Sequence, residues 1–377
     1  MEPGVFWLSL SFGVHITLVN LGIGVSIVVP LLREVAQRKG RQDLVDEARR
    51  LLRFYAATYA LGGVFGTAFT VYLFSYYPGF TALLGKITLY NYALAIMALV
   101  AHFLSLTLYY YGWNRFSTRA IRVIGGSLAL SALLIVMGFR SVFAQLSQPV
   151  GVDLVQGKVL SPLQAVLGNP LLPPLFLKSV SAALAMTLVA VAAWHAFKKE
   201  SELASLYLRP ALAMLLIVFL AGSWYAWELR RVDYKFANIF GGLGLAPEPK
   251  LDLSWLLLLK IALWSVQVAA VILAMKKGPM AARGLLIIAG VASLIAVPSG
   301  EFLNAFSQYP YFIPPSGEAG VNAMPSVLSL YSSNINTRSD ALQAITVAST
   351  GILAAAAAIY LYYALIKPAP QTSGGER

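Results

Sequence analysis

Six ionisable side chains lie within long apolar stretches of this sequence, where charged groups are rare. They are His15, His102, Arg140, Lys178, Lys260 and Glu301. A charge at membrane depth is costly and usually marks a functional position, so each of the six is a candidate site residue. The lone pair of a neutral imidazole can accept a hydrogen bond or bind a metal ion, whereas a protonated lysine has no lone pair to offer. The residue types therefore indicate hydrogen bonding or metal ligation by the histidines and charge pairing by the others.

His15 and His102 lie deep within their apolar stretches and cannot easily reach water. Two interpretations stay open for each. A neutral imidazole can hydrogen-bond a neighbouring helix, which stabilises by about 1 kcal/mol, or it can be an axial ligand to heme iron. Gly13, Gly22 and Gly24 surround His15, and such small residues let a neighbouring helix or a flat macrocycle approach closely.

The remaining intramembrane groups have simpler interpretations. Arg140 and Lys178 lie near the ends of their stretches, where a long side chain can snorkel to water. Glu301 precedes the segment FLNAFSQYPY, which has the composition of an exit from the membrane, so we expect it to cap its helix or to pair with a base. His195 follows Trp194 near the other boundary, in a position typical of an aromatic belt, and we expect no site role for it.

The composition predicts the elements that position these groups. Of 377 residues, 58% are hydrophobic and 12% are charged, and the mean hydropathy is +0.72, as in proteins that cross a membrane several times. A backbone in lipid must satisfy its own hydrogen bonds, so we predict an all-α protein. Nine stretches are long enough to span a bilayer, at residues 5–32, 54–77, 87–112, 121–144, 174–197, 210–228, 253–275, 284–306 and 342–366.

The positions of the basic residues predict the orientation of these helices. Lys and Arg concentrate in the first, third, fifth and seventh connections, which places those connections in the cytoplasm, the N-terminus outside and the C-terminus inside. The net charge of +12 is therefore mainly a topology signal, and we expect no nucleic-acid partner. The absence of cysteine excludes disulfides and thiolate-bound metals. We predict a single transmembrane helical domain over residues 1–367 and a disordered tail over residues 368–377.

Four motifs, taken in order, resemble subunit I of the cytochrome bd quinol oxidases. They are FGVHITLVNLGIGVSIVVPLL in the first span, YALGGVFGTAFTVYLFSYYPGF in the second, YYYGWNRF at the end of the third and Gln148–Gly151 (Gln-Pro-Val-Gly) after the fourth. The family has Gly-Trp-Asp-Arg where this chain has Gly-Trp-Asn-Arg. The resemblance extends over most of the chain and implies nine helices with the N-terminus outside, in the cell membrane of a prokaryote. It also implies oxidation of quinol and reduction of oxygen to water with three hemes.

The heme ligands that the resemblance implies are mostly replaced in this chain. His15 matches the histidine of the first span that holds a heme of the oxygen-reducing pair. The glutamates of the third span fall on Leu94 and His102, so His102 stands in the place of a carboxylate. The low-spin heme's histidine falls on Lys178 and its methionine on Ala262. Neither a protonated lysine nor an alanine can donate to iron, so we expect no low-spin heme in this chain.

The resemblance is therefore closest to degenerate subunit-I paralogues that accompany a ligand-complete subunit I. We expect such a partner as the other half of a heterodimer in membrane lipid, with quinol as a ligand of the complex. On this interpretation the chain carries few or no hemes and is not catalytic alone. Two alternatives stay open. One is a redox-active divergent subunit that keeps one heme on His15, with His102 as a second ligand or proton carrier, and the other is an unrelated transporter or membrane scaffold.

Overall fold

The computed structural model describes residues 3–309 except Tyr77 and Val155, together with Gly351, Ala355 and Ala358. Within residues 3–309 the protein is almost entirely helical. The helices are α1 (Pro3–Lys39), α2 (Gln42–Tyr76), α3 (Pro78–Ile87), α4 (Leu89–Gly112), α5 (Thr118–Ser147), α6 (Pro162–Leu167), α7 (Leu172–Phe197), α8 (Ser201–Leu229), α9 (Asp233–Phe240), α10 (Ser254–Lys277) and α11 (Arg283–Phe306). A short hairpin of β1 (Val152–Asp153) and β2 (Lys158–Val159) precedes α6.

Eight of the described helices are long and apolar enough to cross a membrane, namely α1, α2, α4, α5, α7, α8, α10 and α11. They correspond to the first eight predicted spans. The ninth predicted span, 342–366, lies outside the described residues apart from three single positions, and the predicted tail, 368–377, lies wholly outside them. The all-α prediction is therefore confirmed, whereas the count of nine and the orientation of the termini stay predictions.

Successive long helices alternate in direction, so their connections fall at two ends of the bundle. The end that we call the basic end contains residues 40–41, 113–117, 198–200 and 278–282. The α1–α2 connection is a tight turn in which Gly40 has φ of +64°, a conformation that glycine adopts without steric penalty. The opposite end, which we call the α9 end, carries the β-hairpin, α6 and α9.

Two arginines close the C-terminus of α4 at the basic end. Arg33 donates from Nη2 to the Trp113 carbonyl at 3.0 Å, and Arg49 donates from Nη1 to the Tyr110 carbonyl at 3.0 Å. The last carbonyls of a helix lack partners within the helix, and basic side chains satisfy them well. The guanidinium of Arg33 also lies 3.8 Å from the centre of the Trp113 ring. The YYYGWNRF motif is thus the docking point of α4 on α1 and α2.

The segment between α5 and α7 is held to the bundle by two buried amides. Gln145 donates to the carbonyls of Val150 and Ala165 and accepts from the Val150 N–H. Asn91 donates to Ser141 Oγ and also to the Ala165 carbonyl. An unpaired buried backbone group costs free energy, so these bonds fix the segment that follows the Gln-Pro-Val-Gly motif.

The helices α1 and α7 are the most buried of the eight long helices. They meet closely at Gly24, where a Cβ atom would lie 2.6 Å from the Ala183 carbonyl oxygen. Only glycine allows this approach. The central α1–α7 contact in turn places α5, α10 and α11 around one shared interior, in which the intramembrane charges lie.

Candidate functional site

Four of the predicted site residues meet in one place, which we call the ion cluster: Arg140, Lys178, Lys260 and Glu301. Arg140 donates from Nη1 and Nη2 to the two carboxylate oxygens of Glu301, at 2.8 and 2.5 Å. The two side chains are only 6% and 13% exposed. Of the two roles expected for Glu301, the structure has the pairing with a base. Arg140 was expected to snorkel to water, but it turns into the bundle because its carboxylate partner is there.

The two lysines of the ion cluster lack such a partner. Within the described residues, neither amine forms a close ion pair. The two amines are hydrogen-bonded to each other, and the charge of Glu301 acts on both. Lys178 Nζ lies 4.8 Å from the centre of the Tyr225 ring, which is a cation–π distance. Lys260 passes over Gly300, where a Cβ atom would lie 2.8 Å from Nζ. The cluster therefore combines one ion pair with two hydrogen-bonded amines that have no carboxylate of their own.

A cavity of about 70 Å³ adjoins the ion cluster. Its walls come from α1, α7, α8, α10 and α11, and its polar lining includes Asn20, Lys178, Lys260, Gln267 and Glu301. A cavity of this size holds several water molecules or one small ion. The intramembrane charges of α7, α10 and α11 thus face a space inside the bundle.

Lys235 of α9 is a buried charge that the sequence analysis did not single out. It is fully buried, and its amine donates to Ser147 Oγ at 2.9 Å and to Asn304 Oδ1 at 2.7 Å. Tyr225 donates to the same Asn304 oxygen. Removal from water lowers the pKa of Lys235 to about 7. No local pattern predicts this, since the burial of Lys235 depends on how the α8–α10 connection packs on α5 and α11.

Lys235 should make stability depend on pH. Its pKa falls from 10.5 in the unfolded chain to about 7 in the fold. Between these values the unfolded chain binds more protons, so the free energy of unfolding should rise with pH by up to about 1.4 kcal/mol per pH unit. Thermal unfolding of purified protein between pH 7 and 9 measures this slope, and Lys235→Met should reduce it. Lys250→Met, at an exposed position of the same connection, should keep the wild-type slope, and an unchanged slope in Lys235→Met would contradict the assignment.

His15 lies between α1 and α2 with one nitrogen fixed. Its Nδ1 is 2.8 Å from the Gly62 carbonyl oxygen. Because that oxygen can only accept, Nδ1 carries the hydrogen and the Nε2 of the neutral ring carries the lone pair. The ring packs on Gly66, where a Cβ atom would lie 2.6 Å from Cε1. Nε2 forms no hydrogen bond within the described part of the chain, so its lone pair is available to a ligand.

His102, in contrast, has both ring nitrogens engaged. Ser131 donates its own hydrogen to the Leu128 carbonyl, so its Oγ accepts from His102 Nδ1 at 2.9 Å. The lone pair on Nε2 then accepts from the Tyr55 hydroxyl. His102 is buried and ties α2 to α5 through α4. This arrangement leaves no free lone pair for iron, although the role of His102 as a ligand or proton carrier stays a prediction.

His195 differs most from its expected position in an aromatic belt. It is completely buried, with Nδ1 2.6 Å from Glu200 Oε2 and Nε2 2.9 Å from Glu47 Oε1. Carboxylate oxygens accept, so both ring nitrogens carry hydrogen and the ring is an imidazolium. The ring also stacks on Tyr207, with an interplanar angle of 3°. The Glu47–His195–Glu200 triad links α2 and α7 to the residue that caps the N-terminus of α8, at the basic end.

The structure thus brings together four of the six predicted residues and keeps the two histidines apart from them. His15 and His102 contact different turns of α2 and have no partner in common. Among residues 3–309 and the three single positions described, no group of three or more His, Cys, Asp or Glu side chains is arranged to hold a metal ion. Within the described residues, the candidate sites are therefore the cavity beside the ion cluster and the free lone pair on Nε2 of His15.

Comparison with known proteins identifies the family of this chain. The chain is similar in fold to the bd oxidase from Geobacillus thermodenitrificans, with a TM-score of 0.75, 18% sequence identity, and coverage of 96% of this chain and 97% of the other. No curated protein sequence matches it. The family model of the cytochrome bd terminal oxidase subunit I matches residues 6–230. Because that match covers more than half of the sequence, the chain belongs to the cytochrome bd terminal oxidase subunit I family.

Proposed function

We propose that this chain is a partner subunit with few or no hemes, paired with a ligand-complete subunit I in a bd-type quinol:oxygen oxidoreductase. Family and fold support a membrane subunit of a bd-type oxidase, and the alternative of an unrelated transporter does not fit this family membership. The complex would lie in a prokaryotic plasma membrane, with quinol bound to the assembly and with catalysis carried by the partner.

The observation that carries this proposal is the ion cluster. By resemblance, Lys178 stands where the low-spin heme's histidine would be, yet it lies beside a second amine and the Arg140–Glu301 pair. Ala262, in the place of the methionine, has no donor atom and lies on the exposed face of α10. An ammonium group or a methyl group cannot ligate iron. These residues do not fit a low-spin heme held by this chain.

His15 does fit a heme, which supports a second candidate function as a subunit with one heme of its own. A histidine that ligates a metal donates its other ring N–H to a carbonyl or carboxylate, which fixes the tautomer and the ring orientation. The bond from His15 Nδ1 to the Gly62 carbonyl has this form and leaves Nε2 as the donor. A bound heme would supply one-electron transfer or oxygen binding at its iron. The chain's own part would be to hold the ring in place between α1 and α2.

Heme counting with a His15 variant distinguishes the two candidates. The intact complex, purified through a tag on this chain, should contain a second, ligand-complete subunit I by mass spectrometry. We expect His15→Ala to leave the number of hemes per complex unchanged, measured by heme extraction and optical spectra. His102→Gln is the matched control, because both nitrogens of His102 are already hydrogen-bonded.

A loss of one heme per complex in His15→Ala, with none lost in His102→Gln, would replace the first candidate with the second. Three hemes bound to this chain when it is expressed without a partner would refute the first candidate, since it leaves this chain few or none.

A further inference from the structure

We propose that the cavity beside the ion cluster binds a small inorganic anion of about the size of chloride, held by the amines of Lys178 and Lys260. Nothing in this inference depends on which subunit the chain pairs with, or on whether His15 holds a heme. It rests on charge, on hydrogen-bond donors and on the space between α1, α7, α8, α10 and α11.

The basic side chains of the cluster outnumber its carboxylate by three to one. Arg140, Lys178 and Lys260 face one carboxylate, that of Glu301, and both oxygens of that carboxylate are taken by Arg140. A buried charge without compensation is strongly destabilising. A small anion beside the two amines can accept hydrogen bonds from both and compensate the charge of each amine that carries a third hydrogen.

The cavity also offers hydrogen-bond donors to a ligand. Asn304 Oδ1, one of the amide oxygens of the lining, already accepts from Lys235 and Tyr225. Asn20 and Gln267, which line the cavity, each use one amide hydrogen on their own helix backbone and retain the second, besides the amide oxygen that can accept. Together with the two amines they form a set of donors that a ligand carrying only lone pairs can satisfy.

The size and the walls of the cavity select the class of anion. A volume of about 70 Å³ accepts a single small ion with one or two waters. The rest of the lining is largely apolar, with Leu175, Leu215 and Trp264 among its members. Such walls favour a weakly hydrated monovalent ion over sulfate or phosphate, because a multiply charged oxyanion loses more hydration on entry.

Bromide titration of the purified, intact protein tests the proposal. In a gluconate buffer at constant ionic strength and pH, replacement of gluconate by bromide should raise Tm by a few degrees along a saturating curve. Lys178→Met and Lys260→Met should each abolish the bromide-dependent rise, whatever their own Tm. Lys276→Met is the matched control, at an exposed position at the end of the same helix as Lys260. This variant should keep the bromide-dependent rise in Tm.

A second measurement on the unmodified protein covers the case in which the lysine variants do not fold. Crystals grown in bromide should show an anomalous-difference peak in the cavity, beside the two amines. The inference is wrong if wild-type protein shows no saturable response and no peak, as expected for two uncharged amines. A response to sulfate but not to bromide, or an unchanged response in both lysine variants, also refutes it.

Discussion

Replacing Glu301 with leucine should lower the free energy of unfolding by about 3–5 kcal/mol, because it leaves the guanidinium of Arg140 buried without its carboxylate. Arg140 is 6% exposed and donates two hydrogen bonds to Glu301, so bulk water cannot replace the lost partner. The loss also leaves Lys178 and Lys260 with no negative charge among the side chains of the ion cluster. Unfolding of the purified protein in detergent, followed by tryptophan fluorescence, measures the effect.

The matched control removes the charge of Arg140 as well. The double variant Arg140→Met, Glu301→Leu contains no broken ion pair, and we expect it to recover most of the lost stability, since replacing both members of a buried pair is often neutral. If the single and double variants were equally unstable, the cost would come from packing and not from the unpaired charge. An unaffected single variant would mean that Arg140 reaches water.

His195→Phe should lower the free energy of unfolding by about 3 kcal/mol, which is the second large effect that we expect. It keeps a ring of similar shape on Tyr207 but removes both hydrogen bonds of the imidazolium. Glu47, which is 2% exposed, would then keep only Arg50, 3.4 Å away, as a charged partner. The same unfolding measurement in detergent gives the size of the effect.

Two further variants separate the contributions of the two carboxylates. Glu200 is 38% exposed, so water can solvate it. Glu200→Gln should therefore lower the free energy of unfolding by less than about 1 kcal/mol. Glu47→Leu combined with His195→Phe should be more stable than His195→Phe alone, because no buried carboxylate is then left without its imidazolium. A large loss of stability in Glu200→Gln would show that Glu47 and Glu200 stabilise the imidazolium equally.

The spans were predictable because apolar length is a local property of the sequence. The structure has helices at all eight predicted ranges that it describes. The bounds differ where charge or proline lies inside a helix. The helix α8 begins at Ser201 and not at 210, and it contains Glu202, Arg209 and Pro210 within its first turns. Those residues have the composition of a connection, but the packing of Ala204 and Leu208 in the core keeps them helical.

The partners of the buried charges were not predictable, since each pair joins residues that are far apart in the sequence. Arg140 and Glu301 meet only when α5 packs near α11. Glu47 lies in a run of basic residues that has the composition of a surface segment, yet it contacts His195 of α7. In both cases the sequence identifies a charge in an unusual place. Which other charge satisfies it follows from the tertiary packing, for which the sequence offers no spacing rule.

The contacts of Arg33 and Arg49 with the end of α4 have a consequence for how the protein is made. Both arginines belong to the α1–α2 hairpin, which leaves the ribosome before α4 does. The carbonyls of Tyr110 and Trp113 therefore meet guanidinium groups that are already in place on an inserted hairpin. Each helical segment finds its acceptor surface among segments that were synthesised earlier, so membrane insertion and folding can proceed in the order of translation.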